Sequence, residues 1–310
     1  MTLTMHDPAT WLAGYIPDLP TPFDASGEID LAAFEKLCER QIAAGAKALV
    51  VGETTGEGST LTQPEHSALV RAAIRTSQGR AAIVAGTGSN STSQAIELTH
   101  QAQMDGADAI LSMVPYYNKP MQSGIYAHFC AVAGATRLPI ILHDVPSRTA
   151  REMTDDTITR LAQSQQFAGL RDDTGDISRS LRLRPLLPPE FRLLSGDDTT
   201  APAFLVYGGN GCISITSNVM PELCRKLYLS CTQGELKFAR SLAIRLSHLT
   251  AALLREPTPA PLKYALSLLG LMSPRLRLPL VELAEPGKAD VASAMDATCF
   301  EDLACTSNQH

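Results

Sequence analysis

Thr54-Thr55-Gly56, Tyr116-Tyr117, His143-Asp144, Arg148, Arg171-Asp172-Asp173 and Gly196-Asp197 are the residues of this chain best equipped for chemistry. Each group follows a short apolar run. The hydroxyls and free backbone amides of Thr54-Thr55-Gly56 can hold a carboxylate, although many tight turns read the same way. Arg148 can grip a carboxylate through two nitrogens, and equally can be a solvated loop charge. Tyr116-Tyr117 reads as packing or as a proton path. His143 reads as a satisfied core imidazole or as a proton carrier. His143-Asp144 and Arg148 share one unit, and Ile213-Ser214-Ile215-Thr216 supplies a sixth polar strand end; six such ends favour a shared site, because a purely structural barrel top does not require them.

The elements that must position these residues follow a regular rhythm. Apolar runs at Gly14–Leu19, Ala46–Gly52, Ala81–Gly86, Ala109–Val114, Pro139–His143, Phe167–Arg171, Phe191–Ser195 and Gly211–Thr216 alternate with amphipathic stretches. Continuous hydrophobicity suits parallel strands buried on both faces, with helices between them. Thr62-Gln63-Pro64-Glu65 predicts a capping box, and Ser91-Thr92-Ser93-Gln94 a second one. Leu31, Phe34, Leu37 and Ile42 share one face of a helix ending near Gly45. Eight such units close naturally into a (β/α)8 TIM barrel, whose site lies at the C-terminal ends of the strands. After about Met220 the strand signals stop. Helices are predicted over Gln233–Leu254, Pro261–Leu269 and Lys288–Phe300, with the Pro-rich loop Glu256–Pro261 between the first two. The expected division is a barrel over residues 1–225 and a helical C-terminal region over residues 226–310.

Composition narrows the functional classes. A net charge of −6, with no Lys/Arg-rich block, argues against nucleic acid as a partner. The apolar runs are strand-sized, well short of the roughly 20 residues of a membrane span. Met1–Ala13 lacks a basic stretch followed by an apolar core, so a cytoplasmic location is expected. The 7 cysteines (Cys38, Cys130, Cys212, Cys224, Cys231, Cys299 and Cys305) are scattered without a C-x-x-C pair, which supports neither a zinc site nor a disulfide framework.

Taken together, Thr54-Thr55-Gly56-Glu57, Pro115-Tyr116-Tyr117-Asn118-Lys119-Pro120, Val145-Pro146-Ser147-Arg148-Thr149 and Leu194-Ser195-Gly196-Asp197-Asp198 resemble the dihydrodipicolinate synthase and N-acetylneuraminate lyase family. The similarity runs from about Ile16 to the Arg277-Leu278-Pro279 stretch. Val-Pro-Ser-Arg-Thr is closer to the synthases than to the lyases. The resemblance implies a barrel with a helical C-terminal region, a homotetramer built as a dimer of dimers, a small-molecule 2-oxo acid such as pyruvate as ligand, and no cofactor or metal. It further implies that Thr54 and Thr55 hold the keto-acid carboxylate and that Arg148 supports a proton relay and binds a second substrate. Thr54 and Tyr117 belong to that relay, Tyr117 reaching it from a neighbouring subunit. Gly196, Ile213 and Ile215 are implied to line the pocket.

The same resemblance exposes departures. Arg171 stands at the position of the family's Schiff-base lysine, His143-Asp144 at its Tyr-Asn pair, and Glu53 at a glycine. At the feedback site for lysine found in some members, His66, Asn90 and Tyr116 match but Gln94 stands at a glutamate position. Imine formation needs a nitrogen with an available lone pair, and a guanidinium has none that is usefully free. An imidazole titrating near ~6.5 can still pass protons at neutral pH. Glu53, if it faces inward, is expected to orient His143 or pair with Arg171. A His143/Asp144/Glu53 metal site is disfavoured because adjacent strand residues face opposite ways. Four functions remain open: a carbon–oxygen or carbon–carbon lyase acting without a Schiff base, a non-catalytic ligand-binding or regulatory homologue, a weak synthase of the family's ordinary type, and a purely structural role with no ligand.

Overall fold

The computed structural model describes residues 8–306; residues 1–7 and 307–310, and the side chains of Cys299 and Cys305, fall outside the described residues. Eight parallel strands occur in chain order: β1 (Gly14–Pro17), β2 (Ala48–Val51), β3 (Ala82–Gly86), β4 (Ala109–Met113), β5 (Ile140–Asp144), β6 (Phe167–Asp172), β7 (Arg192–Ser195) and β8 (Gly211–Ser214). Neighbours pair in the order β1-β8-β7-β6-β5-β4-β3-β2. A parallel bridge between Asp18 and Val50, with Leu19 N–H donating to Val50 O at 3.0 Å, joins β1 to β2 and closes the ring. The expected (β/α)8 TIM barrel is the observed architecture, and each strand lies within one or two residues of its predicted run.

Side-chain alternation sorts each strand into two layers. Ile16, Ala48, Val50, Val84, Leu111, Ile141, Leu194 and Ile213 fill the barrel interior, with Trp11 and Leu12 in the same cluster. Leu49, Val51, Ile83, Ile110, Leu142 and Leu170 face outward into a second core shared with the helices. Removing a large aliphatic side chain from water contributes about 1.5–3 kcal/mol, before chain entropy opposes it.

The helices start where local chemistry dictates. Thr62 and Glu65 satisfy each other's backbone amides at the start of Gln63–Ser77, a complete capping box. Ser91 caps Thr92–Asp105 by accepting from Gln94 N, but the Gln94 side chain accepts from Ser89 Oγ at 2.8 Å instead of closing a second box. Asp30 caps Leu31–Ala43, which buries Phe34, Leu37 and Ile42 on one face. Beyond β8, helices Pro221–Thr232, Leu236–Leu254, Ala260–Leu268 and Glu285–Thr306 continue the chain. Leu249, Leu253, Leu262, Leu266 and Val291 join Ile215 and Val219 in one cluster, so this region packs against the barrel. No helix among the described residues is long and apolar enough to cross a membrane.

Candidate active site

His143 and Arg171 face each other across β5 and β6, directly paired in register. Strand alternation turns both inward, above Ile141 and Gly169, and sends Asp144 and Asp172 to the opposite face. Outside the barrel, Arg179 is fully buried and bridges that second pair. Its Nη2 donates to Asp144 Oδ2 at 2.8 Å and to Met153 O at 2.5 Å, and its Nη1 to Asp172 Oδ1 at 3.3 Å. Burial raises the Asp144 carboxyl to about 6 despite the Arg179 charge. His143, Asp144 and Glu53 therefore do not converge on one point, and no metal-binding group occurs among the described residues.

Inside the barrel mouth Arg171 meets three carboxylates. Nε donates to Asp173 Oδ2 at 2.8 Å, Nη1 donates to Asp18 Oδ2 at 2.9 Å, and Nη1 lies 3.5 Å from Glu53 Oε2. His143 is held from both sides: Nδ1 lies 3.1 Å from Glu53 Oε1 and Nε2 lies 2.7 Å from Asp173 Oδ2. Two acceptors on opposite ring nitrogens require both to carry protons, which is the imidazolium form. Burial and the Arg171 charge push the imidazole's pKa down, but Glu53 and Asp173 outweigh them and hold it at about 9. The expectation that His143 titrates near neutrality is thereby corrected: two buried carboxylates keep it charged.

The carboxylates divide the work unequally. Burial alone would keep Glu53 protonated, yet His143 and Arg171 hold it well below the usual carboxylate range, and the Thr54 N–H also donates to it. Asp173 is depressed against burial by Arg171 and His143. Asp18 is raised to about 6, chiefly by burial and despite Arg171. With all groups ionised, three carboxylates surround two cations, and the cluster carries one surplus negative charge.

A cavity of about 410 Å³ opens over this cluster. Thr54, Thr55, His143, Arg148, Arg171, Asp173, Gly196 and Ile215 line it, together with Asp197 and the Leu254–Thr258 segment. The two threonines sit on a turn closed by Glu57 N–H to Thr54 O and by Thr21 Oγ1 to Gly56 O. Gly196 packs against the Asp173 carboxylate so closely that an added Cβ would lie 2.1 Å from Oδ2, so only glycine admits Asp173 there. The Arg148 side chain is exposed at the mouth, and its guanidinium makes no hydrogen bond or ion pair within the described residues.

Two residues named from sequence lie elsewhere. Ile213 packs in the barrel interior with Ile16 and Leu194, below the cavity and not on its lining. Tyr117 is 88% exposed with φ 71° and does not line the cavity of its own chain. Of the feedback-type positions, His66 is buried with Nε2 2.9 Å from Gly86 O, and Gln94 is occupied by Ser89. Sequence reasoning did not assign roles to Asp18, Asp173 or the Leu254–Thr258 wall. A signal existed for the two acids: Asp18 shares parity with Ile16, and Asp173 with Arg171, so both point inward.

A closed parallel barrel with its polar cluster and cavity at the strands' C-terminal ends defines a protein of the (β/α)8-barrel class. Within that class the chain belongs to the dihydrodipicolinate synthetase family, whose model matches residues 11–298. It is 46% identical over 284 residues to a protein of Hyphomonas neptunium named 4-hydroxy-tetrahydrodipicolinate synthase, covering 91% of this chain and 97% of that one. A namesake from Gluconobacter oxydans is 42% identical over 282 residues, covering 91% and 95%. Among solved structures, dihydrodipicolinate synthase of Acinetobacter baumannii, described as complexed with pyruvate, superposes with a TM-score of 0.90 at 39% identity, covering 93% of this chain and 99% of that one. The synthase of Methylacidiphilum fumariolicum gives 0.91 at 38% identity, covering 95% and 98%.

Proposed function

We propose that this protein is a family member that binds a small carboxylate-bearing ligand noncovalently and forms no imine. One observation carries this reading: no lysine lines the cavity, and the cation at the end of β6 is Arg171, fixed by Asp18, Glu53 and Asp173. The segment Phe167–Gly175 resembles the family's lysine-bearing strand, which makes Arg171 the residue in the lysine's place. A guanidinium held in ion pairs has no lone pair for a ketone carbon. Thr54, Thr55 and Arg148 at the same cavity support a carboxylate as the recognised group, and a 2-oxo acid such as pyruvate belongs to that class. An assembly in which Tyr117 reaches a neighbouring copy belongs to the same reading, supported by the exposure of that side chain.

Titration calorimetry against small mono- and dicarboxylates tests the proposal. Saturable binding with recovery of the unmodified ligand supports it, and absence of heat with every carboxylate sinks it.

A lyase working without a Schiff base is the second reading. Asp173 favours it, as an ionised carboxylate on the cavity wall backed by the His143 imidazolium, a pair able to accept and return a proton. Deuterium entry into the methyl group of pyruvate, followed by NMR in heavy water, separates the two. Exchange above the protein-free rate, lost in Asp173→Asn, selects the lyase; no exchange selects binding alone.

A further inference from the structure

A second cavity, of about 290 Å³, lies in the cleft between the helices Leu31–Ala43 and Pro221–Thr232, over the start of β1. It shares no residue with the cavity above Arg171. Its charged side chains are Lys47, just before β2, and Arg225; no acidic residue lines it among the described residues, in a chain of net charge −6. Neither cation makes a hydrogen bond or ion pair among the described residues. Arg225 still has a defined path, because its Nε lies 3.2 Å from where a Cβ of Gly45 would stand, and Gly45 has φ 96°. Glycine there both adopts the turn and lets the arginine cross flat against it. Between the helices Gln41 is 1% exposed; its Nε2 donates to Asn218 O at 3.2 Å, and its Oε1 accepts no hydrogen bond among the described residues. The rings of Tyr15 and Tyr228 complete the wall.

We propose that this cleft binds a small phosphate monoester, with the phosphate held by Lys47 and Arg225 and a hydroxyl of its organic part donating to Gln41 Oε1. Two cations sharing an acid-free cleft call for an anion of matching charge. A phosphate monoester carries close to two negative charges at neutral pH, and its three oxygens point in different directions. An ammonium from one element and a guanidinium from another can therefore bind it together. The phosphate offers acceptors only, so the donor that the buried Gln41 oxygen needs must come from a hydroxyl elsewhere on the ligand. The tyrosine rings give its carbon skeleton an apolar face. A cation at the C-terminal end of Leu31–Ala43 also suits that helix's dipole. That accounts for Arg225 alone, and leaves Lys47 and the open Gln41 oxygen without a reason. The volume is at the small end for ligand sites, which suits a metabolite of a few carbons. The site stands whether or not an imine forms at the barrel mouth.

Titration calorimetry of the full chain with glycerophosphate, methyl phosphate, malate and glycerol tests this. Glycerophosphate is expected to bind saturably, about fivefold more tightly than methyl phosphate, which lacks the hydroxyl. It is also expected to bind more tightly than malate, a hydroxylated dianion without a phosphate, while glycerol alone gives no heat of binding. Lys47→Ala and Arg225→Ala should each weaken glycerophosphate about tenfold or more, the size of one charge-assisted hydrogen bond. Both side chains are exposed, so these variants report on binding rather than on folding. Gln41→Leu should bring glycerophosphate down to the affinity of methyl phosphate; should that variant fail to fold, the wild-type comparison of the two esters makes the same test. Arg148→Ala, at the other cavity, should leave glycerophosphate unchanged. Absence of binding by either ester, or malate binding as tightly as glycerophosphate, overturns the proposal. So does an affinity that survives Lys47→Ala and Arg225→Ala but falls in Arg148→Ala, which would put the anion at the barrel mouth. Equal affinity for the two esters removes the contact to Gln41.

Discussion

Arg171 Nε donates at 2.8 Å to the carboxylate of Asp173, two residues further along the same chain direction. Residues i and i+2 of a strand share a face, so the cation carries its counter-ion on its own strand end. Asp18 and Glu53 complete the enclosure from β1 and the loop after β2. The guanidinium is thus a structural centre of the barrel mouth as well as part of the cavity wall.

Removing that centre leaves three acids without their main partner. Arg171→Met is expected to destabilise the protein by about 3–5 kcal/mol, the usual penalty for stranding buried charge. Chemical denaturation measures this, and a loss below about 1 kcal/mol would show that the carboxylates simply protonate or resolvate.

Arg171→Lys tests whether a lysine at that position is sufficient for imine chemistry. An ammonium among Asp18, Glu53 and Asp173 is stabilised in its charged form, so its lone pair is withheld at neutral pH. Pyruvate with borohydride is expected to leave the mass of this variant unchanged. A reduced adduct would show that the acids do not hold the lysine protonated.

The His143 environment predicts a pH dependence of stability. The folded value of about 9 lies above the reference 6.5, so the stabilising contribution is complete below about 6.5 and is lost as pH rises through 9. The fall across that window is on the order of 3 kcal/mol. His143→Gln should flatten the stability–pH curve in that range. An unchanged slope in the variant would assign the effect to another group.

Much of this was legible in the residue pattern. Parity along β5 and β6 places His143 and Arg171 inward and Asp144 outward, and the segments ending in Thr54-Thr55 and Gly196 mark strand ends. Among the C-terminal helices, Pro221–Thr232 was missed, and the second capping box does not close because the Gln94 side chain is taken by Ser89. What sequence could not supply is which acids meet Arg171. Asp18 lies 153 residues away along the chain and becomes its neighbour only when β1 closes the ring. The Leu254–Thr258 wall is equally a product of long-range packing, since a Pro-rich loop carries no signal of which barrel end it will cover. Ile213 was placed on the cavity by resemblance, whereas its alternation with Ser214 sets it in the interior core.

A buried pair couples the C-terminal helices to the cavity turn. Lys263 Nζ contacts Glu57 Oε1, both side chains being inaccessible, and also donates to Arg275 O at 2.8 Å. Burial brings the lysine down to about 8, with Glu57 opposing the fall. Lys263→Met is expected to cost about 3–5 kcal/mol and to weaken ligand binding, because Glu57 closes the turn that carries Thr54 and Thr55. Adding Glu57→Gln to it should recover part of the stability. A double variant no more stable than the single one would exclude the stranded charge as the cause.

Arg179 offers a comparison outside the cavity. Arg179→Met strands Asp144 and Asp172 and should destabilise by a similar about 3–5 kcal/mol while leaving ligand specificity in the folded fraction unchanged. Altered specificity in that variant would mean the outer and inner faces of β5 and β6 are coupled.

With Arg171 in the lysine's place, no amine of this barrel is expected to condense with a keto acid. Incubating the wild-type protein with excess pyruvate and borohydride, then measuring intact mass, tests it most directly. The unmodified mass is expected; a mass increased by one reduced pyruvate, mapped to any lysine of the barrel mouth, would show that a Schiff base forms after all.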